Sequence, residues 1–167
     1  VFLVGPRINA AGRMESGGKA VELLKSNSRE EVEKIAAEIN QNNEARKDLD
    51  KKATEEAKKM LTSCADLTSK KTTVVYGKDW HKGVIGIVAS RLIEKYYKPT
   101  IVFTKSNDLI TGSARSVKDF DIYAAIESCS HLLTHFGGHK FAAGLSLEEK
   151  NLEEFMRLFE QEVEKKI

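Results

Sequence analysis

Two short segments near the C-terminal end carry the residue types that a phosphate or nucleotide site needs. Gly112-Ser113-Ala114-Arg115-Ser116 sets an always-charged guanidinium among small hydroxyl residues. About twenty residues on, Phe136-Gly137-Gly138-His139-Lys140-Phe141-Ala142-Ala143-Gly144 sets two glycines beside an imidazole. Together they offer a fixed cation, hydroxyl donors, backbone N–H groups open to close approach and a titratable donor. Strand alternation sends Ser113 and Arg115 to one face, where they could grip one anion together, the guanidinium bidentately. The same arginine could instead pair with a carboxylate such as Asp119. Gly137 and Gly138 suit a concave nest of N–H groups with His139 donating to a phosphate oxygen. They equally suit a glycine-terminated helix followed by a core histidine.

Other clusters point less sharply. Gly5-Pro6-Arg7-Ile8-Asn9-Ala10-Ala11-Gly12-Arg13 reads as a small-residue loop whose two arginines and asparagine suit phosphate clamping. Its alternative is a glycine-rich connector. Asp79-Trp80-His81-Lys82-Gly83 reads as a strand-to-helix turn, either facing an anion or using Asp79 as a cap and Trp80 as a core or interface residue. Asp119-Phe120-Asp121 could pair two carboxylates for metal or acid–base work, but its place directly before a helical pattern favours N-capping by Asp121. His131, His135 and His139 are spaced like a metal face on a helix, but Gly137-Gly138 should break such a helix, and no carboxylate or cysteine completes the set. No metal ligands are assigned.

The elements that must hold these residues follow from periodicity. A helix is expected near Lys19–Lys25, then a long one from about Arg29 to Leu61, opened by a Ser28/Glu31 capping box. Its apolar face fades between Asn40 and Asp48 and returns thinly at Leu49, Ala53, Ala57, Met60 and Leu61. A helix of that length runs about 50 Å, and one polar all round at its middle is often a bridge between domains. From Thr72 the pattern turns α/β. Strands are expected at Thr72–Tyr76, Thr100–Lys105, Leu109–Arg115 and Ala143–Leu147. Helices are expected at Gly83–Tyr97, from Asp121 to about Thr134 with Gly137-Gly138 ending it, and from Asn151 onward. The fold class is α/β: a mixed β-sheet flanked by helices and preceded by a long linker helix.

Composition sets the bounds. The chain of 167 residues is 41% hydrophobic, enough for a core, and has no apolar run of membrane length. It opens Val-Phe-Leu-Val and reads as a piece of a longer protein. Cys64 and Cys129 fit no metal spacing and read as free thiols in a reducing cytoplasm. The net charge of +2 is unevenly placed: Ser69–Lys140 carries 11 Lys and Arg against 6 Asp and Glu, whereas Phe141–Ile167 carries 4 against 7. The segment with the motifs is the basic one, which favours an anionic ligand there.

Taken in order, Gly5–Met14, Trp80–Leu92, Gly112–Ser116 and Phe136–Gly144 resemble the C-terminal half of the catalytic core of the RecJ family of single-strand DNA exonucleases, within the DHH phosphoesterase superfamily. The resemblance divides the chain into residues 1–27 (the end of the DHH catalytic domain), 28–68 (the linker helix) and 69–167 (a DHH-associated substrate-binding domain). It implies a metal-dependent 5′-to-3′ exonuclease of DNA repair and recombination, with single-stranded DNA as partner and no membrane. Manganese or magnesium would be held by the DHH domain of the same chain, including its Asp-His-His motif, and would activate a water. The resemblance further implies that Arg7, Asn9 and Arg13 contact the DNA backbone or scissile phosphate, that Ser113 and Arg115 hold phosphate near the 5′ end, and that Gly137, Gly138 and His139 complete that pocket. These residues contain no Asp-His-His motif, so catalytic residues are expected outside this chain. The alternatives are a phosphodiesterase of short RNA or cyclic dinucleotides and a non-catalytic nucleic-acid-binding module.

Overall fold

A computed structural model describes residues 4–63 and 69–166. Cys64 lies outside the described residues. The chain divides into two compact units, Val1–Lys51 and Lys52–Ile167. One continuous helix, α3 (Arg29–Thr62), contributes its first part to one unit and its last part to the other.

The first unit holds α1 (Val4–Met14), α2 (Gly18–Lys25) and the start of α3. Ala11, Ala20, Ile35 and Ile39 form its small core, with Ile8 and Leu23 against them. Lys19 bridges Glu15 at 2.8 Å and Glu38 at 3.0 Å. The expected loop over Gly5–Arg13 is therefore a helix. Pro6 falls in its first turn, where a missing N–H costs nothing, and Ala10 and Ala11 are its buried positions. At the start of α3, Ser28 Oγ accepts from Glu31 N at 3.4 Å, one half of the expected capping box. The Glu31 carboxylate accepts from Ser26 Oγ instead of closing the other half. The polar middle of α3 is not simply solvated: Asn43 and Asp50 are 2% and 1% exposed.

The second unit is a five-stranded mixed sheet, ordered β1 (Thr73–Tyr76), β2 (Thr100–Ser106), β3 (Leu109–Arg115), β5 (Ala142–Leu147), β4 (Leu133–His139). β1 and β2 run parallel, joined through α4 (Ile85–Tyr96), and the remaining pairs are antiparallel. This is the α/β class that the sequence leads one to expect. The β2–β3 hairpin closes on Asn107-Asp108, with Asn107 at φ 55°, the left-handed conformation that such two-residue turns demand. α5 (Ile122–Glu127) and α6 (Leu152–Glu164) cover one sheet face, packing Ile126, Phe155 and Phe159 on Ile101, Phe103, Ile110 and Leu145. α4 packs on the β2–β3 half of the opposite face.

α5 is much shorter than expected. It is capped by Asp121, which accepts from Ala124 N at 3.0 Å, and ends after two turns, where Ser128 Oγ bonds back to Ala124 O. Leu133–His139 is a strand, so Gly137-Gly138 does not terminate a helix. β5 offers a pairing partner from Phe136 through His139, and that non-local partner overrides a weak local helix signal. His135 and His139 consequently lie about 13 Å apart along a strand, too far to share a metal. Cys129 is buried, and burial pushes its thiol up to about 11, which removes it as a nucleophile. Among the described residues no helix is long and apolar enough to cross a membrane.

Candidate nucleic-acid interface

Register gathers the motif residues on one sheet face. Cross-strand partners share a face, as do residues two apart along a strand. Ser113, Gly144 and Gly137 form one row across β3, β5 and β4. Arg115, Ala142 and His139 form the next row, and Thr111, Ser146 and His135 the one before. α4 lies over the β2–β3 half of this face, while His135, Gly137, His139 and Gly144 remain exposed. The result is an open, glycine-floored shelf beside a helix.

Arg115 is aimed by its own strand. Its Nη1 donates to Ser113 Oγ at 3.0 Å and to the Ala114 carbonyl at 2.8 Å, so the half-buried guanidinium folds back toward Ser113. Gly86, in the first turn of α4, closes over both: a Cβ there would lie 2.9 Å from Arg115 Nη2 and 3.0 Å from Ser113 Oγ. Holding a guanidinium in place lowers the ordering cost of gripping an anion bidentately.

At the exposed end of the shelf, His139 Nδ1 accepts from Phe141 N at 3.3 Å. That bond leaves the ring proton on Nε2, free to donate outward. Gly137 and Gly144 face open space, with no atom within 4 Å of a hypothetical Cβ. Gly138 differs: its φ of 148° disfavours any side chain, and a Cβ there would run into the Ala142 carbonyl and Ala143 Cα. Gly138 therefore lets β4 lie against β5, whereas Gly137 and Gly144 keep the shelf flat.

Of the residues singled out in the sequence, Ser113, Arg115, Gly137 and His139 meet on this face. Gly138 shares the strand and supports it. Arg7, Asn9 and Arg13 belong to α1 in the first unit. Arg7 is half-buried and its Nε donates to Asn40 Oδ1, while Asn9 and Arg13, one turn apart, share an exposed helix face. Trp80 is a buried residue, 7% exposed, whose indole Nε1 donates to Glu56 Oε2 at 2.7 Å. Gly86 and Gly144 were missed as site residues. The signal for Gly86 was a glycine inside an otherwise apolar helical run, which asks for a packing reason. Among the described residues no group of three His, Cys, Asp or Glu is placed to hold a metal ion.

The sheet carries helices on both faces and a glycine-floored shelf beside Arg115, and comparison with known proteins identifies the family of this domain. The DHHA1 domain matches residues 69–165, and the chain belongs to that family. It is 39% identical over 154 residues to the single-stranded-DNA-specific exonuclease RecJ of Bacillus subtilis, covering 90% of this chain and 19% of that protein. It is 36% identical over 172 residues to the RecJ of Haemophilus influenzae, covering 97% and 29%. The crystal structure of Thermus thermophilus RecJ in complex with Mg2+ superposes with a TM-score of 0.87 at 30% identity, covering 98% of this chain and 25% of that one. The chain thus spans between a fifth and three tenths of the length of these relatives.

Proposed function

We infer that this chain is the substrate-gripping part of a metal-dependent, 5′-to-3′ single-strand DNA exonuclease. The observation that carries the reading is the shelf: a guanidinium fixed against Ser113 and Gly86, beside a glycine floor with His139 at its edge. In this reading Arg115 and Ser113 hold a phosphate near the 5′ end. Gly137 and Gly144 let the sugar–phosphate backbone lie against the sheet, and His139 Nε2 donates to a phosphate oxygen. Most protein–DNA hydrogen bonds go to phosphate and sugar, so such a face grips without reading sequence. On α1, Asn9 and Arg13 would contact the backbone together, and Arg7 from beside Asn40. Residues 1–27 would be the end of the DHH catalytic domain, 28–68 the linker helix and 69–167 the substrate-binding domain.

Manganese or magnesium would be held by the DHH domain of the longer protein, since among the described residues no group of three His, Cys, Asp or Glu is placed to hold a metal ion. The metal's contribution there would be an activated water. Catalysis would need that domain, and this chain alone would bind without cleaving. DNA repair and recombination in the cytoplasm would be its setting. The RecJ relatives named above are described as specific for single-stranded DNA, which favours DNA over short RNA or cyclic dinucleotides.

The test is to titrate the chain with a 5′-phosphorylated and a 5′-hydroxyl single-stranded oligonucleotide at several salt concentrations, and to incubate both with manganese. Tighter binding of the phosphorylated end, without cleavage, is expected. Arg115→Ala should erase that preference and lower the magnitude of the log–log salt slope by up to about 0.7, one phosphate on a single strand. Equal affinity and slope in parent and variant would remove Arg115 as a phosphate ligand. Cleavage surviving rigorous purification would contradict the division of labour.

A further inference from the structure

A second basic concavity lies at the end of the sheet beyond the Arg115–Thr100 pair, separate from the shelf. It encloses about 450 Å³, within the usual range for ligand sites. Four lysines surround it, Lys71, Lys98, Lys118 and Lys166, against a single carboxylate, Asp119. Its floor is apolar: Pro99, Val117 and Phe120. Lys71, Lys118 and Lys166 are exposed, while Lys98 is steadied by donating its Nζ to the Lys70 carbonyl at 2.6 Å.

Two backbone outliers frame this pocket. Tyr97 ends α4 at φ 50°, and Asp119 stands at φ 65°. A helix end in that conformation ordinarily takes glycine or asparagine. Here it carries a tyrosine whose side chain packs little, for Tyr97 is 66% exposed. Such a residue costs stability at a site where glycine would be better, an arrangement that collects at binding sites. A second exposed aromatic, Phe141 at 54%, stands at the same end of the sheet, where the Phe141 carbonyl accepts from Ser116 N at 2.9 Å, and Lys140 Nζ lies 5.2 Å from its ring. Exposed rings interleaved with lysines are what sequence-tolerant single-strand binding uses: bases stack on rings while cations follow the backbone.

We propose that the Lys71–Lys98–Lys118–Lys166 pocket is a second subsite for single-stranded nucleic acid, with a base stacked on Tyr97 and the adjoining phosphates held by the lysines. This rests on the nucleic-acid reading of the shelf and extends it. A strand anchored at Arg115 runs off the end of the sheet into this pocket.

The experiment measures binding of the whole chain to two probes, a 5′-phosphorylated trinucleotide and an oligothymidylate several times longer. Tyr97→Gly relaxes the backbone and removes the ring. It should keep or raise the melting temperature yet weaken the long strand roughly 5-fold or more, the lower end of a stacking contribution. Tyr97→Phe keeps the ring and should bind like the parent. Lys118→Gln with Lys166→Gln should lower the salt slope for the long strand by up to about 1.4. All of these should leave the trinucleotide unaffected, whereas Arg115→Ala weakens both probes. Parent-like affinity of folded Tyr97→Gly and of the double lysine variant for the long strand would overturn the subsite and leave the Arg115 reading standing. A parent that binds neither probe would overturn both. Binding of polyglutamate that the double lysine variant loses while keeping DNA would make the pocket a protein-docking site, and the proposal would fall.

Discussion

Three of the shelf's glycines, Gly86, Gly137 and Gly138, differ in what surrounds them, and alanine separates them. At Gly137 a methyl group meets open space, and a strand tolerates alanine at least as well as glycine. Gly137→Ala should therefore keep the parent's melting temperature while weakening oligonucleotide binding, because the methyl rises into the path of the backbone. At Gly138 the φ of 148° and the adjacent β5 backbone leave no room. Gly138→Ala should therefore lower the melting temperature, because a side chain at an incompatible φ destabilises by more than about 1 kcal/mol. At Gly86 alanine should stabilise α4 by up to about 1 kcal/mol yet displace the Arg115 guanidinium, so stability and binding move in opposite directions. Melting curves and affinities on the three variants read this out. Parent-like binding by Gly137→Ala would mean that the strand does not approach the floor there. The Gly-Gly-His run was visible in the sequence as a candidate anion site, but which glycine serves conformation and which faces open space depends on φ and on β5.

At the scale of elements, the last part of α3 belongs to the sheet unit through Ala53, Ala57 and Leu61, which are buried, and through the bond from Trp80 to Glu56. Thr104 Oγ1 also donates to the Trp80 carbonyl at 2.6 Å, so the Asp79–Gly83 turn is fixed from two sides. Glu56→Ala leaves a buried indole N–H without its acceptor, which costs about 1–3 kcal/mol. Trp80 is the single tryptophan of the chain, so its emission reports the change directly. A lower melting temperature with altered tryptophan emission is expected, and an unchanged melt would show that α3 is held by its apolar residues alone. This docking was half legible: a core or interface role for Trp80 was one of two readings of the Asp79–Gly83 turn, but its partner 24 positions earlier was not visible. The strands β2 and β3, the Asp121 cap and α6 were legible because local chemistry decides them. β4 was not, because its identity comes from pairing with β5 rather than from its own period. α1 was masked by its glycines, although Pro6 and the buried Ala10-Ala11 pair were available as helix signals.

At the scale of the whole molecule, two small units share one long helix, and the residues assigned to phosphate are divided between them: Arg7, Asn9 and Arg13 in one, the shelf in the other. A net charge of only +2 hides this, because the acidic surface of α6 offsets the basic stretch that carries the shelf. The central claim is that single-stranded DNA lies on the α4-flanked face of the sheet, across β3, β5 and β4. The most direct test is residue-resolved NMR of the whole chain during titration with a 5′-phosphorylated oligonucleotide. The backbone amides of Ser113, Arg115, Gly137, His139 and Gly144 should shift together with saturation, and the Arg115→Ala variant should blunt those shifts. Saturable shifts confined to the opposite face, over α5 and α6, or the absence of any shift in the Gly137 and Gly144 amides, would contradict the account.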